Sequence, residues 1–92
     1  MTFPFTENQN VDGRLRVFSS EVDNEELIWH RDDEDRIVQI IEADGWYFQR
    51  DDELPIELKS GDVINVSRCQ WHRIIKKKNT QLIVLIKTNP DV

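Results

Sequence analysis

Apolar residues in this chain come in short bursts divided by turn-forming residues. The bursts are LRVFS at 15–19, ELIW at 26–29, IVQIIEA at 37–43, WYFQR at 46–50, PIEL at 55–58, VINV at 63–66, QWHRII at 70–75 and QLIVLIK at 81–87. Rich in Ile, Val and aromatic residues, they suit a pleated, half-buried surface, and each predicts a strand. Asp23-Asn24, Asp44-Gly45, Asp51-Asp52, Ser60-Gly61-Asp62 and Lys78-Asn79 supply the turns between them. No window carries a helical period, and the breaks recur at the rhythm of a sandwich or barrel, so the fold class is all-β. Residues 1–13 are polar apart from Phe3, Pro4, Phe5 and a few others, and read as an N-terminal arm. The barrel then spans 14–88, with a C-terminal tail at 89–92.

Strand alternation assigns faces, because successive side chains point to opposite sides. Over residues 26–32 it puts Ile28, His30 and Asp32 on one face, with Leu27 and Trp29 on the other. Both faces begin apolar. Burial on both sides in so short a chain predicts that one face lines the barrel while the other meets the arm or a second copy, hence a homodimer. In 46–50, Trp46, Phe48 and Arg50 oppose Tyr47 and Gln49, and either set can line a pocket.

Ninety-two residues allow one domain and one compact site. Eighteen acids against twelve bases give a net charge of -6, whose field repels phosphate backbones and argues against a nucleic-acid partner. The one basic stretch, RIIKKK at 73–78, reads as a strand running into a lysine-rich turn. Cys69 is the single cysteine, so neither an internal disulfide nor a Cys-x-x-Cys zinc site is available, and a reducing cytoplasm is the expected location. The first residues lack the pattern of a secretory signal, and LIVLI at 82–86 is far too short to span a bilayer, so no membrane role is expected.

At SGDVINVSRCQWH, residues 60–72, the chain resembles the second sequence motif of the cupin superfamily. Gly61 and His72 fall at the motif's glycine and metal-binding histidine, while Ser67 and Cys69 stand where its proline and second glycine belong. Laying the first cupin motif on the chain puts His30 at the first histidine, Asp32 at the second, Arg36 at the glutamate, Asn24 at the opening glycine and Ala43 at the closing one. IIEADGW and LPIELKSGDVINV resemble the segments that follow the first motif and lead into the second. The resemblance covers about residues 15–87 and implies a cupin-type double-stranded β-helix, a jelly-roll barrel.

It also implies a metal site of His30, Asp32 and His72, since two histidines and a carboxylate form the facial triad of non-haem Fe(II) oxygenases and also accept Zn, Mn or Ni. The expected activity is that of a small metal-binding cupin, a dioxygenase or related enzyme on a small polar or anionic molecule, with Arg36 and Gln49 as ligand-contacting residues. The alternative is a non-enzymatic cupin with a metal-free ion-pair pocket, serving ligand binding, regulation or assembly. Arg36 decides between them. A guanidinium cannot ligate a metal, and it can clamp Asp32 through both oxygens, sit beside a three-ligand metal and hold an anion, or turn outward to Asp33 or Asp35. The acidic run Asp33-Glu34-Asp35 reads as a solvated loop, Cys69 as a packing residue near the pocket mouth, and Trp29 and Trp71 as anchors facing away from the site.

Overall fold

Phe5–Asn10 and Gly13–Phe18 form an antiparallel hairpin, β1 and β2, in register from Phe5 opposite Phe18 to Asn10 opposite Gly13. This comes from a computed structural model, which describes residues 3–88. The tail expected at 89–92 lies outside the described residues. Much of the segment expected to be an N-terminal arm is therefore a strand; FTENQN is polar because β1 pairs through its backbone while most of its side chains face water. Gly13 closes the hairpin at φ 142, where a Cβ would also run into the carbonyl of Ile86.

The remaining strands are β3 (Arg36–Glu42), β4 (Trp46–Arg50), β5 (Ile56–Glu57), β6 (Val63–Val66), β7 (His72–Lys76) and β8 (Leu82–Thr88). They assemble into a five-stranded sheet, β1-β2-β8-β3-β6, and a three-stranded sheet, β5-β4-β7. Every strand pair is antiparallel. The two sheets form a jelly roll, the all-β class expected from the turn rhythm.

One expected strand is not there. Residues 24–26 instead make a single 3-10 turn. Glu26 N–H donates to the Asp23 carbonyl, closing the turn, and Asp23 N–H donates to the Glu26 carboxylate, the reach-back bond of a capping box that ELIW alone does not reveal. Asn24 then pairs with the backbone of Lys76 in both directions, each bond 2.8 Å, standing in for a strand at the edge of β7. Past this turn the chain pairs with β7 as an isolated bridge, in which His30 and His72 exchange backbone hydrogen bonds of 3.0 and 2.9 Å.

Inward positions follow the alternation. Phe18, Ile40, Ile64, Val66, Leu82, Val84 and Ile86 come from the large sheet, and Trp46 and Phe48 from the small one, all buried. Trp46 has no exposed surface, stacks at a tilt on Phe18, and donates its indole N–H to the Thr80 carbonyl at 3.0 Å, so its one polar atom is satisfied. It lies at one end of the β4–β7 ladder, opposite Lys76, while Arg50 and His72 pair at the other end. The four steps between them span roughly 13 Å.

Candidate metal centre

His30, Asp32 and His72 meet at the His72 end of the barrel, with one donor atom of each within 4.8 Å of the others. The two imidazole rings lie edge to face with centroids 4.3 Å apart. His72 is held by the start of β7 and His30 by its backbone bridge to it. Asp32 is held by a turn. Its carbonyl accepts from Cys69 N–H at 2.8 Å, and Asp35 accepts from Arg68 N–H at 2.7 Å, fastening the acidic loop to residues 67–70.

That turn explains Cys69. Gln70 N–H donates to the Ser67 carbonyl, and Cys69, the third residue of the turn, has φ 63, the left-handed region that type II turns reserve for glycine. A glycine, which the resemblance to the cupin motif puts at this position, would adopt that backbone without strain. The Cys69 side chain is exposed, so the thiol does not pack into the core as expected from the sequence.

Hydrogen bonding sets the imidazole tautomers. Nδ1 of His72 lies 2.8 Å from the Gln70 carbonyl, and Nδ1 of His30 lies 3.1 Å from the Ile28 carbonyl. A carbonyl only accepts, so both Nδ1 atoms carry hydrogen and both Nε2 atoms keep a lone pair when neutral. Ligating histidines are oriented in this way. Burial first, opposed by the bond to Gln70 and the field of Asp32, holds the His72 pKa below its ordinary value, so the neutral, ligating form prevails at neutral pH.

The neutral His72 Nε2 faces Asp32 Oδ2 at 3.4 Å, and Oδ2 is buried with no hydrogen-bond partner. Two electron-rich atoms thus confront each other in a buried corner, an arrangement that costs free energy until a cation or proton enters. Two donors about 2.1 Å from one ion at a tetrahedral angle lie about 3.4 Å apart. The donor set and its spacing fit a divalent metal.

Arg36 points inward, where the cupin glutamate would stand, but of the two Asp32 oxygens it contacts Oδ1 alone, through Nη1 at 3.3 Å. Its Nε reaches Glu34 Oε1 at 3.2 Å, and the same oxygen takes Arg14 Nη2 at 3.0 Å. The two-oxygen clamp considered from the sequence is absent because Glu34 shares the guanidinium, which leaves Oδ2 free. The middle of the acidic run therefore belongs to the site's surroundings, where a bare solvated loop was expected.

Gln49 requires correction. Phe48 takes the inward side of β4, so Gln49 faces outward, accepting from Arg73 Nε at 3.0 Å and donating to the Glu53 carbonyl at 3.1 Å. Trp29 and Trp71 do face away from His30 and His72. Arg73 lies over Trp29 and Arg31 over Trp71, at 4.6 and 5.2 Å, as cross-strand neighbours of the His30–His72 bridge.

Beneath these three candidate ligands opens a cavity of about 620 Å³. The inward residues named as core are mostly its walls, including Ile40, Phe48, Ile64, Leu82, Val84 and Ile86. Arg16 also faces it, tied to Glu7 at 2.6 Å and lying 3.8 Å over the Phe5 ring. Sequence reading overlooked Arg16 and Arg14. Their positions two and four before the inward Phe18 are the signal that finds them once β2 is known to be a two-sided strand.

Fold and site together define a cupin-type jelly roll with two imidazoles and a carboxylate at the barrel mouth, the fold that the sequence motifs imply. Solved structures share it, two of them as follows. A cupin domain, bp2299, from Bordetella pertussis Tohama I superposes with a TM-score of 0.64 at 16% identity, over 98% of this chain and 99% of that one. Protein NMB1881 from Neisseria meningitidis gives a TM-score of 0.63 at 15% identity, over 97% of this chain and 87% of that one. No family model and no curated protein matches the sequence.

Proposed function

We propose that the protein is a small metal-binding cupin that holds a divalent cation through His30, Asp32 and His72 and acts on a small anionic molecule, as a dioxygenase or related enzyme. The observation that carries this reading is the buried, unpartnered Asp32 Oδ2 facing the Nε2 lone pair of His72. When bound, the ion supplies Lewis acidity and, as Fe(II), the dioxygen chemistry of facial-triad enzymes. The chain's own residues do the rest. The Gln70 and Ile28 carbonyls fix both imidazoles, Arg36 offers a cation beside the ligands to orient an anionic group, and the apolar walls exclude water.

The ion pair between Arg36 and Asp32 supports a second reading, a metal-free pocket that binds a ligand without chemistry. Metal analysis of protein purified without chelator separates the two. About one ion per chain, lost in both His30→Ala and His72→Ala, supports the metal reading. Metal well below that in wild type, or unchanged in both variants, defeats it. Oxygen uptake by the loaded protein with candidate substrates then tests the enzyme.

The homodimer expected from the sequence belongs to the same proposal. Leu15, Val17, Ile37, Ile41, Val63 and Ile83 alternate onto the outer face of the five-stranded sheet, and Ile37, Ile41 and Val63 are exposed. Lys87, opposite Ile37, and Glu42, opposite Ile83, put one charge of each sign on this mainly apolar face, so two copies meet there without the repulsion that a net charge of -6 imposes elsewhere. A solution mass of two chains supports it, and a mass of one chain removes it.

A further inference from the structure

The walls and the mouth of the cavity differ sharply in chemistry. Below the ligands the surface is aliphatic and aromatic down toward the Trp46 end. The charged and polar lining groups are His30, Asp32, His72 and Arg36 at the mouth, Arg16 partway down beside Val84 with its charge met by Glu7, and the exposed Glu25 and Glu26 on a solvent-facing rim next to Asn24, toward the Lys76 end. Glu26 is engaged in capping Asp23, and both rim acids are screened by solvent.

A small polar molecule at the mouth would leave most of the cavity either empty or holding water with no polar partners, and both are unfavourable. A purely apolar molecule would leave the mouth's charge unanswered. Arg14 and Arg36 already balance Asp32 and Glu34, so a divalent cation gives the mouth a surplus of positive charge.

We propose that the pocket takes an amphipathic carboxylate, its anionic head at Arg36 and the metal site and its unbranched aliphatic or aryl body in the apolar barrel. The head's second anchor rests on the metal reading above. The body's site does not. This sharpens the small polar or anionic molecule expected from the sequence, because the walls select an apolar body that the sequence does not reveal.

The test is calorimetric titration of the wild-type chain, metal-loaded and chelator-stripped, with butanoate, hexanoate, octanoate and decanoate, with 1-octanol, and with oxalate as a polar anion. Each added methylene should tighten binding by about fourfold until the barrel is full. Octanoate should exceed octanol by about tenfold or more, and Arg36→Gln should remove most of that margin while leaving octanol unchanged. An affinity flat across the series, oxalate binding as tightly as octanoate, or octanol matching octanoate overturns the proposal. The homologous series is read on wild-type protein, so it does not depend on a variant folding. A methylene increment in protein that takes up no metal supports the amphipath while defeating the metal reading. A flat series in protein holding one metal ion does the reverse.

Discussion

The two ends of the β4–β7 ladder are built on opposite terms. At one end Trp46 is wholly buried and its single polar atom is bonded to Thr80. At the other, His72 is nearly as buried but turns a lone pair toward a carboxylate oxygen that has no partner. The first arrangement is what a chain adopts for stability, where a large apolar area leaves water and no polar group is stranded. The second leaves a buried acceptor unsatisfied, a cost that a cation or a proton relieves, and such departures from local consistency are commonly found at functional sites.

Substitutions at the two ends should therefore move stability in opposite directions. Trp46→Ala opens a cavity at the closed end and should cost about 3–5 kcal/mol in denaturant unfolding. Asp32→Asn at the mouth should stabilise the metal-free chain by about 1 kcal/mol, because the amide can donate to His72 Nε2 while its oxygen still accepts from Arg36. Loss of stability in that variant would mean that Oδ2 is not frustrated. Cys69→Gly should add somewhat under 1 kcal/mol by relieving the left-handed backbone, less the entropy glycine gains when unfolded. No change in the Cys69→Gly unfolding midpoint would show the turn to be unstrained.

Titration offers a finer probe of the same contrast. The folded chain holds the His72 pKa below its unfolded value, so the unfolded state binds more protons as pH falls below about 6.5. Stability of chelator-treated protein should be level above that pH and fall progressively below it, down to the folded pKa. His72→Gln should flatten this part of the acid limb, whereas an unaltered limb would assign it to other groups.

Most strands were legible because period-two patterning and turn residues agree, as in IVQIIEA followed by Asp44-Gly45. β1 was not, because a strand that pairs through its backbone at a sheet edge needs no apolar pattern. ELIW misled for the opposite reason. Its apolar residues meet the barrel from a turn and an irregular segment, and the signal that counted was the Asp23 and Glu26 capping pair. The convergence of His30, Asp32 and His72 was legible from motif spacing, while Arg14 and Arg16 were hidden because a charged residue in alternation reads as solvent-facing. Gln49 was misplaced because parity within WYFQR defines two faces and does not say which is inside. Nor does sequence distinguish a filled core from the walls of a cavity, since both ask for the same apolar residues.

The most direct measurement of the central claim is calorimetric titration of chelator-stripped protein with Zn²⁺ at neutral pH, beside Asp32→Asn and His72→Ala. A single saturable site near one ion per chain is predicted, weakened by about tenfold or more in each variant. Wild-type protein that shows no saturable binding, or variants that bind as tightly as wild type, would contradict a metal centre at the barrel mouth.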